Sequence, residues 1–147
     1  MQFKRSGRRY QLRFESGEKV IETLFQFLEA QAIGHAALSG LGALRHATVS
    51  YWNAQTKEYE YHDLYEQMEL VSFVGNVSLK DGLPFVHAHV ALGRSDLSLV
   101  GGHFNEGIVH PNVEIWLQPE RKAVHRALDE SCGLYLMNLP ERQESQT

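Results

Sequence analysis

The sequence holds a single cysteine, Cys132, among 147 residues. One thiol cannot close an intramolecular disulfide, and frameworks of four thiolates around zinc are excluded, so any bound metal must be held by histidine and carboxylate. Long apolar runs are also missing: no stretch approaches the ~20 apolar residues of a membrane span. The segment Met1 to Tyr10 is charged where a signal peptide would be apolar. A cytoplasmic location is the expectation. Positive charge is scarce, with a formal net charge of −4, a disadvantage for binding phosphates. Its one dense basic group, Lys4, Arg5, Arg8 and Arg9, reads as the solvated end of a first strand. Repeats and low-complexity segments are absent. Only the polar tail from Glu141 to Thr147 reads as disordered, which leaves residues 1–140 as one domain.

What remains is the material of an ordinary core, with 43% hydrophobic and 22% charged residues. Arg9 to Phe14 alternates between polar and apolar side chains, the period of a half-buried strand. From Glu18 to Ala32, Val20, Ile21, Leu24, Phe25, Phe27 and Leu28 recur at helical spacing, with Ser16 as N-cap and Gly34 as stop. Short β-like runs follow. Ala36–Ser39 and Ala47–Trp52 are separated by a turn at Gly40-Leu41-Gly42, and Asn53–Lys57 forms a hairpin loop to Tyr59–Leu64. Glu69–Ser78, Phe85–Leu92, Leu97–Phe104 and Asn112–Leu117 continue the series. Glu120–Glu130 reads as a second, shorter helix and Gly133–Met137 as a last strand. The predicted class is α+β: a mainly antiparallel sheet of about seven or eight strands packed with one long and one short helix.

His87-Ala88-His89 lies in one of these strands, where side chains two apart share a face. His103 follows the glycine pair Gly101-Gly102 on the next strand. For His103 to share the face of the other two, the intervening loop must have three or five residues, or a bulge must intervene; a two-residue loop would turn it away. With Gly93 opposite Leu97, His87 faces His103, and His89 faces Gly101, whose missing side chain leaves the imidazole room. Three neutral imidazoles with an open position suit zinc, and also iron, copper or nickel. Glu114 is a candidate to orient one of these ligands or to supply a fourth. An isolated His-x-His is more often a surface or hydrogen-bonded pair, and it is the third histidine that turns this one into a candidate metal site. His35, His46, His62, His110 and His125 have no partner at ligand spacing; His110, just before Pro111, is the one to watch.

Further residues carry a family resemblance. Gly17-Glu18, Ser39-Gly40-Leu41-Gly42-Ala43, Tyr51-Trp52, Tyr59, Tyr65, Glu69, Gly75-Asn76-Val77-Ser78, Asp81-Gly82, His87-Ala88-His89, Gly101-Gly102-His103 and Glu114 stand in an order that resembles the plant-and-prokaryote-conserved (PPC or PCC) domain, in its stand-alone prokaryotic form. The resemblance spans about Tyr10 to Leu117. It implies a mainly antiparallel α/β fold, a homotrimer with sites near subunit interfaces, and a metal site at His87, His89 and His103. Prokaryotic members are described as candidate DNA-binding proteins because plant relatives join the domain to AT-hooks. This chain has no Arg-Gly-Arg-Pro hook, so DNA binding does not transfer with the domain. A cupin would need a glutamate soon after the histidine pair, where Ala91 to Ser95 stand instead. Three functions follow as expectations: a trimeric metal- or ligand-binding module, a DNA-binding regulator, and a metal-dependent hydrolase or lyase with Glu69 or Glu114 as acid or base. The strand aromatics Tyr51, Trp52, Tyr59, Tyr61, Tyr65 and Trp116 outnumber what two helices can cover, so some of them are expected at subunit contacts.

Overall fold

The computed structural model describes residues 1–139; the tail read as disordered, 141–147, lies outside the described residues. Among the described residues, nine strands and one helix follow in the order β1 (Gln2–Ser6), β2 (Arg9–Glu15), α1 (Val20–Ala30), β3 (Ala36–Asn53), β4 (Glu58–Leu64), β5 (Met68–Lys80), β6 (Leu83–Gly93), β7 (Leu99–Pro119), β8 (His125–Asp129) and β9 (Leu134–Asn138). All belong to one sheet, antiparallel except where β5 meets β8.

Two of the strands are far longer than the sequence pattern suggests, and this governs the architecture. β3 runs straight through Gly40-Leu41-Gly42, which is a register irregularity rather than a turn. The reason is proximity: a Cβ on Gly40 would lie 2.6 Å from the Glu114 carbonyl oxygen, so the glycine lets two backbones touch. β7 likewise fuses the two predicted runs ending at Phe104 and Leu117. Along its length β7 pairs with β3, and its other edge takes β2 at one end and β6 at the other. Because β5 joins β3 to β6, the pairing β3–β5–β6–β7–β3 is cyclic, and the sheet closes around its own core.

Inside lie Phe14, Leu44, Phe73, Leu92, Val113 and Leu117, all fully buried. Helix α1 presents Val20, Leu24, Phe27 and Leu28 to this core and packs on β7 and β6. Its caps differ from the expected ones. Ser16 does not cap it; Lys19 occupies the N-cap without a side-chain bond, and the Glu106 carboxylate on β7 accepts from the amides of Ile21 (2.8 Å) and Glu22 (3.2 Å). A carboxylate there meets both the free amides and the positive end of the helix. At the other end Ala32, with φ 51°, takes the left-handed position assigned to Gly34.

The expected second helix over Glu120–Glu130 is not formed. Its middle is β8, which pairs with β9 and bridges to β5 at Leu79–His125. Helix propensity is worth only tenths of a kcal/mol per residue. Against it stand the β8–β9 ladder and three hydrogen bonds from Arg126.

Candidate metal centre

Ala88, Val90 and Leu92 point into the core, so their neighbours on β6, His87 and His89, face outward. Five residues, 94–98, link β6 to β7, and Gly93 pairs with Leu99. This is the five-residue alternative, and it shifts the assumed register: His89, not His87, stands opposite His103. Parity is kept, and all three imidazoles share the outer face. Gly101 opposes Ala91 rather than His89. Its role is not to make room for an imidazole. A Cβ there would sit 2.1 Å from the Val90 carbonyl oxygen, inside the strand ladder itself.

The ring centroids are 4.1 Å apart for His89 and His103, and 5.2 Å for each other pair. One nitrogen from each ring lies within 4.8 Å of the other two. Burial, reinforced by the Arg126 guanidinium and the two neighbouring imidazoles, pushes His87 down to about 4, and burial also lowers His103. Both rings are thereby held neutral, the form that donates a lone pair to a metal. The donor set fits zinc: three neutral imidazoles on adjacent strands, with one side left open.

Around the triad are groups that the sequence pattern did not single out. Tyr59 on β4 packs edge-on against His103 at 5.1 Å, and burial pushes its phenol up. Arg126 on β8 lies 4.7 Å from the ring of Phe85, two residues before His87, and donates to Asn76, the register partner of His87. A cleft of about 160 Å³ opens beside His87 and His103, lined also by Ser50, Tyr59, Phe85 and Asn105. Ser50 Oγ and Asn105 Oδ1 are buried without a hydrogen-bond partner among the described residues. No spacing rule links residues 59 and 126 to a site at 87–103; only the pairing of β4 with β3 and of β8 with β5 does so.

Glu114 is not brought to the triad. It pairs with Leu41 and Arg13 toward the far end of β7, whereas His103 pairs with Ser50 and His89. Glu69 pairs with Ala43 and Gly93, also away from the cluster. His110 bonds Ser16 (3.0 Å), His35 contacts the Lys122 carbonyl (2.8 Å) and His46 lies 3.6 Å from Asp63. None of them joins the triad.

Comparison with known proteins places these observations. The model of the Plants and Prokaryotes Conserved (PCC) domain matches residues 1–119. A metal-containing protein from Archaeoglobus fulgidus is 35% identical, with a TM-score of 0.85 over 95% of this chain and 99% of its own. A plant- and prokaryote-conserved protein from Pyrococcus horikoshii is 34% identical, with a TM-score of 0.84 over 96% and 97%. A candidate DNA-binding protein from Bacteroides thetaiotaomicron is 26% identical, with a TM-score of 0.91 over 93% and 96%. Acetolactate decarboxylase from Bacillus subtilis shares the fold at 8% identity, with a TM-score of 0.55 over 76% of this chain and 52% of the enzyme. No curated protein matches the chain. The chain belongs to the Plants and Prokaryotes Conserved domain family.

Proposed function

We propose that the protein is a metal-binding module in which His87, His89 and His103 hold a divalent transition metal, zinc in the first instance, with one coordination position left for a small ligand. The observation that carries this is the convergence of the three ring nitrogens within 4.8 Å on one face of β6 and β7. The Archaeoglobus relative described as metal-containing supports it. A metal there would supply Lewis acidity at the open position. A hydrolase or lyase would need an acid or base beside it, and neither sequence candidate, Glu69 or Glu114, reaches the triad within the chain. The binding reading is therefore preferred. Metal analysis of protein purified without chelator, and zinc titration of the stripped protein, test it: one zinc per chain is expected, and a wild-type protein with no affinity for zinc overturns it.

Assembly as a homotrimer in the cytoplasm is part of the proposal. Tyr51, Tyr61 and Tyr65 are 65%, 62% and 81% exposed, and Trp116 is 41% exposed, so these strand aromatics do not fill the core of one chain. Burial between copies is the usual fate of such area. Light scattering at micromolar concentration should give three chains per particle.

A second reading, DNA binding, rests on relatives described as candidate DNA-binding proteins and on the exposed β1–β2 hairpin, which carries Lys4, Arg5, Arg8, Arg9 and Arg13. The net charge of −4 opposes it. A salt-dependent binding assay decides, and no nanomolar complex surviving competitor DNA is expected.

A further inference from the structure

Arg126 lies outside the segment matched by the family, residues 1–119, on the hairpin β8–β9 that joins the edge of β5. Its position is fixed from three sides. Nε donates to Ser78 Oγ (2.7 Å), Nη1 to the Tyr135 carbonyl (2.7 Å) and Nη2 to Asn76 Oδ1 (3.1 Å). A guanidinium has five N–H donors, so one on each terminal nitrogen is left without a partner among the described residues. A carboxylate is the natural acceptor for such charged donors. The guanidinium rests over Phe85, which lines the cleft with His87 and His103.

In the same cleft, Ser50 is 2% exposed and its Oγ has no partner among the described residues, and neither has Asn105 Oδ1. Leaving a buried polar group unsatisfied is costly, so whatever fills the cleft, water or a ligand that displaces it, finds hydrogen-bonding partners there. A hydroxyl can donate or accept, whereas a carbonyl oxygen only accepts, and the occupant must therefore offer a hydrogen-bond donor. The volume of about 160 Å³ falls below the ~300–1,000 Å³ of drug-sized pockets. An occupant of a few heavy atoms fits.

We infer that the triad, Arg126 and this cleft form one site for a small carboxylate bearing a hydroxyl or amino group, with the carboxylate lying between the metal and Arg126 and the donor group directed at Asn105. The inference rests on the metal reading. The C-terminal hairpin then has a function as well as a place in the sheet: it delivers the cation that selects the anion.

The test uses glycolate as probe and full-length protein loaded with cobalt(II), whose visible absorption reports a ligand entering the open position. Glycolate should bind wild type, and Arg126→Met should weaken it about tenfold while still holding one cobalt per chain and binding the neutral ligand imidazole as before. Equal glycolate affinity in the two proteins, with cobalt bound in both, overturns the anion site alone and leaves Arg126 as an anchor of the hairpin. A wild type that takes up no cobalt overturns the metal reading and this inference together. Should Arg126→Met fail to fold, modification of the wild type by phenylglyoxal decides: glycolate should shield Arg126 but not Arg94, and equal modification of Arg126 with and without glycolate overturns the site.

Discussion

The two ends of β7 make an instructive pair. Each presents a residue of metal-binding chemistry, His103 at one end and Glu114 at the other, and each is crossed by a close backbone contact that demands glycine. At the His103 end the neighbours are β6 and the second half of β3; they bring His87, His89, Ser50 and, through β4, Tyr59 to one place. At the Glu114 end the neighbours are β2 and the first half of β3, which set Arg13 and Leu41 beside the carboxylate. One strand with one alternation yields a candidate metal centre at one end and, at the other, a carboxylate that lines open grooves without a histidine beside it. What differs is the identity of the paired strands, so a chemically apt residue counts only with the pairing that surrounds it.

The sharpest way to break this contrast is to remove a ligand. His103→Ala should weaken zinc by more than about 100-fold, since even loss of groups behind the ligands costs 10–100-fold. A competition titration with a chromophoric chelator measures it, and unchanged affinity would mean that the triad is a surface cluster only.

Glycines sharpen the contrast at the level of the backbone. Gly101→Ala would drive a methyl against the Val90 carbonyl oxygen at 2.1 Å, and Gly40→Ala against that of Glu114 at 2.6 Å. Both should destabilise by about 1–3 kcal/mol or more, read as a fall in the urea midpoint. Only Gly101→Ala, which separates β6 from β7, should also cost zinc affinity in the fraction that remains folded.

The His103 end should also be the acid-sensitive one. His87 falls from 6.5 to about 4 in the folded chain, chiefly through burial. Between those values the unfolded chain binds more protons than the folded one, so stability of the metal-free protein is lost as pH falls from 6.5 toward 4 and is fully present above 6.5. Urea midpoints across this window should decline in wild type and decline less in His87→Asn. Parallel profiles would show that His87 is solvated.

The smallest effect is expected at the Glu114 end. Glu114→Gln should change zinc affinity less than about twofold, because within one chain the carboxylate does not reach the triad. A tenfold loss in the same titration would instead show that Glu114 of a second copy completes the site.

Much of this protein is legible in its sequence, for local reasons. Period-two alternation locates β2, short β-like runs bounded by turn residues locate β4, β5 and β6, and the helical spacing of Val20, Leu24, Phe27 and Leu28 locates α1, because these patterns reflect local burial and turn chemistry. The parity rule for a hairpin was enough to put His87, His89 and His103 on one face once the loop length was odd, although the register itself moved by one pair. The segment Glu120–Glu130 reads as a helix from sequence but holds strand β8, because its helix propensity is local while the ladder that overrides it is not.

Sequence by itself determined the alternation, the histidine spacing and the absence of thiolate frameworks, since each depends on neighbours along the chain. Only the tertiary structure decided that β3 and β7 run unbroken, that Glu106 caps a helix across the fold, that Glu114 stands apart, and that Tyr59 and Arg126 flank the triad. Those outcomes depend on which strand edges meet when the sheet closes, and strand pairing joins residues whose separation along the chain carries no periodic signal.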